Sequence, residues 1–251
     1  MPPRMSESTT ISAATSAERH WTRPSDPGVL KTTFTIIKKD LLIEWRGRAR
    51  VNATLFFAIL TLLLFSFAMG PESKLLAKVA GGFFWLALLL SSVMSLSESM
   101  RIERDNEALE GLKLLPVSSV ALFLGKAVVN TLYLFGLALV LLPMVAAVYG
   151  VNFSLGLAPL VGIMLLGSAA ISAPGTLYAT IAVQARARDV LLPLLLFPVV
   201  VPALLGAVKA TGLIIDGDPM GQLSGWATLL GAFCVAYWIL CSLLFGRVIE
   251  E

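Results

Sequence analysis

The sequence predicts an all-α, polytopic membrane protein with six transmembrane helices and cytoplasmic N- and C-termini. Three observations carry that prediction. Several runs of about 20 residues, the length that crosses ~30 Å of hydrocarbon, contain no Asp, Glu, Lys or Arg. The composition is 57% hydrophobic and 14% charged with a mean hydropathy of +0.84, against roughly 25% charged residues in an average soluble domain. The basic residues gather in alternate loops.

Residues 1–28, MPPRMSESTTISAATSAERHWTRPSDPG, are rich in Ser, Thr, Ala and Pro without apolar periodicity. They bury too little to offset ordering entropy, so a disordered tail is expected. No apolar core of the ~7–15 residues that a secretory signal requires occurs before residue 51. Residues 29–50 place Leu30, Phe34, Ile37, Leu41 and Trp45 at helical spacing, with Lys31, Lys38, Lys39 and Glu44 off that stripe. An amphipathic, basic, tryptophan-bearing helix just before the first span fits the cytoplasmic interface of the membrane.

Residues 51–69, 79–97 and 226–246 are charge-free and of crossing length. The charge-free stretch from Ala127 to Ala185 is too long for one crossing and is interrupted by GVNFSLGLAP at 150–159, which favours a turn. It supplies two spans, about 127–149 and 160–183. The remaining span, about 190–208 and fifth in chain order, carries Pro193, Pro198 and Pro202. Each proline removes a backbone donor, so this fifth crossing is expected to be kinked or broken. Six spans put both termini on one side, and 16 of the 19 Lys and Arg residues then share that side, leaving only Lys74, Lys78 and Lys209 opposite. The positive-inside rule makes the basic side cytoplasmic, including a 98–126 loop and the QARARD turn at 184–189. Topology thus accounts for the net charge of +3, and no nucleic-acid partner is called for.

The 98–126 loop holds ERDNEALEGLKLLP at 103–116. As a helix it lines up Glu103, Glu107 and Glu110 on one face and Ile102, Leu109 and Leu112 on another, and Pro116 ends it. A short amphipathic helix between two crossings suits a lever that reports another subunit's motion to the membrane. The usual energy source is ATP, yet no GxxxxGK[ST] is present: Gly125–Lys126 has Val120 where the first glycine belongs. Nucleotide is therefore expected on a separate chain.

Enzymatic signatures are missing. HExxH, GxSxG and paired intramembrane carboxylates do not occur, which argues against an intramembrane hydrolase. The only histidine, His20, lies in the tail, so no axial haem ligand of that type is available within a span, and no CxxCH motif occurs for covalent haem attachment. Cys234 and Cys241 read as small apolar residues of the last span, and Asp216 and Asp218 as a Gly/Pro turn rather than a metal pair. Catalytic, cofactor-binding and metal residues are expected to be absent from this chain.

An acidic residue followed by x-x-x-Leu-Glu-x-Leu-x-x-x-Pro and a loop ending in Gly-Lys is widespread in ABC-2-type exporter subunits. Here it falls on Asp105, Leu109, Glu110, Leu112, Pro116 and Gly125–Lys126. More specifically, from about residue 29 onward the chain resembles the cytochrome c maturation protein B family (CcmB, named a haem exporter subunit). The matching blocks are MGPESKLLAKVAGGFFWLALLLSS (69–92), NEALEGLKLLPVSSVALFLGKA (106–127) and ARARDVLLPLLLFPVVVPALLGAVKAT (185–211). Glu107 stands where relatives often have glycine, and Glu98 where many carry arginine.

The resemblance implies an ABC-2, type V-like exporter transmembrane subunit in the bacterial inner membrane, without ATPase activity of its own. Its implied partners are an ATPase subunit (CcmA-like), a second copy of itself, CcmC-like and CcmD-like membrane proteins and the haem chaperone, CcmE-like. ATP is then bound by the ATPase, and haem is handled by the complex. The task is haem delivery to c-type cytochromes or ATP-driven release of the haem-loaded chaperone, and the missing intramembrane histidine favours release. The alternatives are an ABC-2-type exporter of another apolar substrate and a non-transporting membrane scaffold.

Overall fold

The computed structural model describes residues 29–46, 48–70, 72–105, 118–153, 156–185 and 188–250. Among these there are seven α-helices and no strand: α1 Val29–Arg46, α2 Arg48–Met69, α3 Ser73–Asp105, α4 Ser119–Tyr149, α5 Leu157–Gln184, α6 Arg188–Asp216 and α7 Leu223–Glu250. The six from α2 to α7 are long and apolar enough to cross a membrane. The protein is a polytopic, all-helical membrane protein.

Most helices outrun the charge-free segments. The second span, read as 79–97, belongs to a helix reaching from Ser73 to Asp105, and the fifth, read as 190–208, continues to Asp216. A helix does not stop where hydrocarbon stops. Its ends extend into the interface, where Lys and Arg lay apolar stems along the protein and keep their charges wet, so a search for charge-free runs recovers only the middle.

The helix ends have local causes. α4 closes on Gly150 in the left-handed region, at φ 67° and ψ 27°, a geometry glycine adopts without steric cost. The chain does not then loop away: Val151 and Phe153 tuck under and join the core before α5 begins. At the far end of α6, Gly217 and Asp218 both take positive φ, and the Asp218 carboxylate accepts hydrogen bonds from the backbone N–H groups of Gln222 (2.8 Å) and Leu223 (3.0 Å). Asp218 thus caps the start of α7.

The three prolines do not break α6, which is one uninterrupted α-helix from Arg188 to Asp216. The break expected from the sequence is therefore corrected. Leu192, Leu196, Val200, Ala203 and Ala207 line a buried face at spacings of 4, 4, 3 and 4, and α6 packs along that face against α3, α5 and α7. Burial of a whole apolar stripe outweighs a few lost backbone bonds, and neighbouring protein tolerates such losses in membrane helices. Pro143 in α4 and Pro174 in α5 are accommodated in the same way.

α5 sits at the centre, against α3, α4, α6 and α7. Of the most apolar stretch of each span, 61% is buried in α3 and 56% in α5 but only 17% in α2. Close approach around α5 depends on small residues. A Cβ on Gly167 would lie 2.1 Å from the Trp85 ring of α3, and one on Gly175 would lie 2.5 Å from Leu96. Trp85 is fully buried, and its Nε1–H donates to Thr211 Oγ1 of α6 at 2.9 Å, so one side chain pins three helices.

Candidate functional site

Of the residues read as the coupling segment, Glu107, Leu109, Glu110, Leu112 and Pro116 lie outside the described residues, and Glu103 falls in the last turn of α3. The site is defined by what holds its two ends. α3 carries the chain in, and α4 takes it out, opening at Ser118, whose side-chain oxygen accepts from Ala121 N at 3.3 Å. The stretch LFLGK at 122–126, expected to finish the loop, is instead helical and belongs to α4. The connection narrows accordingly to 106–117.

Leu122, Phe123, Gly125 and Lys126 are buried, and α1 and α7 do the burying. Gly125 leaves room for Ile36 of α1, since a Cβ there would meet Ile36 Cγ2 at 2.7 Å. Thr33 Oγ1 donates to Ala121 O at 3.3 Å, and Lys126 Nζ stands 3.6 Å from Asp40 Oδ2. On the other side the Phe123 and Phe245 rings lie 5.3 Å apart, and Gly246 leaves a close seat for Ser119. The Gly-Lys pair that closes the sequence motif is therefore a joint: glycine admits a helix, and lysine pairs with it. Within α1 the face holding Thr33, Ile36 and Asp40 turns to α4, while Phe34 and Leu41 of the apolar stripe stay exposed at the protein surface. The helix thus has two working faces, of which the sequence stripe shows one.

The α3 end is fixed as firmly. Met100 is buried, and its sulfur accepts from Thr180 Oγ1 of α5 at 3.6 Å. Arg50 at the start of α2 donates to Ser95 Oγ of α3 at 2.7 Å and stacks 4.7 Å from the Tyr133 ring of α4, whose hydroxyl is hydrogen-bonded to Thr54. A guanidinium that meets a hydroxyl and an aromatic face joins three helices at one level. The end of α3 and the start of α4 are thereby tied to α1, α2, α5 and α7.

Further inward lies a polar seam that the search for acids and histidines passed over. Ser168, Ser172, Thr176 and Thr180, four residues apart along α5, are all buried. Asn130 Nδ2 of α4 donates to Thr176 Oγ1 at 2.9 Å, and Ser172 Oγ donates to Ala127 O at 2.7 Å. Small hydroxylated residues let membrane helices approach and bond across the gap. The four-residue spacing in GSAAISAPGTLYAT was the available signal. Packed, hydrogen-bonded helices thus surround the two ends of the 106–117 connection.

Comparison with known proteins agrees with the architecture. The family model described as CcmB protein matches residues 31–250. A protein of Haemophilus influenzae named "Heme exporter protein B" is 35% identical over 208 residues, covering 80% of this chain and 89% of its own. The protein of that name from Pseudomonas aeruginosa is 33% identical over 212 residues, 81% of this chain and 94% of its own. Rhodobacter capsulatus has one that is 29% identical over 198 residues, 76% and 88%. A match running from within α1 to the last turn of α7, on a chain of six crossing helices, leaves one assignment: this protein belongs to the CcmB family.

Proposed function

We propose that this chain is the membrane subunit of an ABC transporter-like complex for cytochrome c maturation in the bacterial inner membrane. The observation that carries the reading is the family match over residues 31–250, with relatives named "Heme exporter protein B" at 35% identity. ATP is hydrolysed by a separate CcmA-like subunit, which docks from the cytoplasm on the 103–116 segment. The CcmC-like and CcmD-like proteins, the CcmE-like chaperone and a second copy of this chain complete the assembly. The chain itself binds no cofactor and catalyses no reaction, while haem is handled by the complex.

The coupling follows from the joints. Docking rotates or lifts the 106–117 connection, and because both flanking helices are clamped, the movement reaches the bundle as rigid-body displacement rather than being absorbed by loop bending. Release of the haem-loaded chaperone suits this machine better than ligation of haem within the spans, because the sole histidine of the chain is His20.

Leu109 and Leu112 supply the apolar contact to the ATPase, worth ~1.5–3 kcal/mol each before association costs. Glu103, Glu107 and Glu110 set register and on-rate. Leu109→Asp with Leu112→Asp is expected to leave the protein inserted but unable to retain the ATPase on purification, with c-type cytochromes lost. Charge reversal at Glu110 has a smaller, salt-sensitive effect. Full ATPase recovery with normal maturation in the double variant would refute the docking role.

A further inference from the structure

A groove of about 380 Å³ opens on the flank of the bundle beside the root of the coupling segment. Ala179, Ala182 and Val183 of α5 and a stripe of α3 line it, with Phe57 of α2 on one wall and Leu192 of α6 on the other. Its α3 stripe is Leu90, Val93, Met94, Ser97, Glu98 and Arg101, one helical face whose character changes from wholly apolar to charged along its length. Among the described lining residues the charged end is the Arg101–Glu98 ion pair, with Arg101 Nη2 donating to Glu98 Oε1 at 2.7 Å. Both partners are partly exposed, Arg101 at 50% and Glu98 at 33% of the side chain, so they face the mouth rather than the core.

The length is informative. The eleven steps of helix from Leu90 to Arg101 rise roughly 16 Å, about half the ~30 Å hydrocarbon thickness. A groove that spans one leaflet, is apolar towards the bilayer centre and polar only at the interface has the profile of a single lipid. The paired charges refine the head. A lone basic side chain would favour an anionic lipid, whereas a neutral Arg–Glu pair offers an anion-binding and a cation-binding group a few ångströms apart.

We propose that this groove is a binding site for one zwitterionic phospholipid, with one acyl chain laid along Leu90, Val93 and Met94. Its phosphate is set on Arg101 and its ammonium on Glu98. The site depends on the helices crossing a membrane and not on the proposed haem role. Because Arg101 lies four residues from the end of α3, an occupied groove also stiffens the helix that enters the coupling segment.

The test uses the full chain, purified and delipidated in detergent, then titrated with defined phosphatidylethanolamine or phosphatidylglycerol and read by native mass spectrometry. One phosphatidylethanolamine per chain is expected, bound at least tenfold more tightly than phosphatidylglycerol. Glu98→Gln and Arg101→Gln, at the exposed mouth, should each weaken it at least fivefold. Ala182→Phe, which fills the groove, should abolish it while thermal unfolding stays cooperative. Equal binding of the two lipids, or retention unchanged in both mouth variants, overturns the proposal. Should Ala182→Phe fail to fold, the mouth variants decide alone.

Discussion

The Lys126 ammonium and the Asp40 carboxylate stand 3.6 Å apart with side chains only 4% and 14% exposed, so each offsets part of the other's desolvation cost. Removing the carboxylate leaves a buried ammonium without that compensation. Asp40→Asn is therefore expected to destabilise by about 3 kcal/mol, in the range for breaking buried pairs. Lys126→Met keeps the long stem and discards the charge, so the double variant should unfold at a higher temperature than Asp40→Asn alone. Thermal unfolding of the four proteins in detergent closes the cycle, and simple additivity would show that the two groups do not couple. The pair also marks a limit of local reading. Lys126 looks like the end of a loop because a lysine is costly in lipid, and nothing in 122–127 tells that Asp40, 86 positions earlier in sequence, comes to meet it.

At the scale of elements, the meeting of α3 and α5 is decided by one glycine. Gly167 and Gly162 share a helix and look alike in sequence, but a Cβ would find open space at Gly162 and the Trp85 ring at Gly167. The ring cannot retreat, being buried and hydrogen-bonded to Thr211. Gly167→Ala should accordingly lower the yield of folded protein severalfold, while Gly162→Ala leaves it near normal. Trp85→Phe, which trims the clashing part of the ring, should partly rescue Gly167→Ala. Fluorescence-detected size-exclusion profiles separate these outcomes, and equal tolerance at both glycines would contradict the geometry. Helix existence and number were legible because hydropathy is a sum over 20 residues and survives local exceptions. The continuity of α6 was not, because proline rules are local and the stripe from Leu192 to Ala207 that overrides them acts through three other helices. The hydroxyl seam of α5 was readable from its four-residue spacing, although no charged residue drew attention to it.

For the whole molecule, the decisive question is which end of the bundle the proposed ATPase subunit can reach. Six crossings carry 106–117 to the same side as both termini and the 216–222 turn to the other. By the positive-inside rule, the distribution of 16 basic residues against three predicts that the first side is cytoplasmic. The two ends also differ in build: one is closed by tight turns, including the aspartate cap at 218, and the other concentrates the α1 and Arg50 joints where α3 ends and α4 begins. Cysteine labelling tests the orientation in a background with Cys234 and Cys241 changed to Ala, neither of which takes part in a disulfide. Met220 is 80% exposed in the outer turn, so Met220→Cys should react with a membrane-impermeant maleimide in intact spheroplasts. Asn106→Cys, at the start of the connection, should react only after the membrane is permeabilised. The opposite pattern would place the connection outside, beyond reach of any cytoplasmic ATPase, and would remove the coupling role while leaving the fold and the family intact.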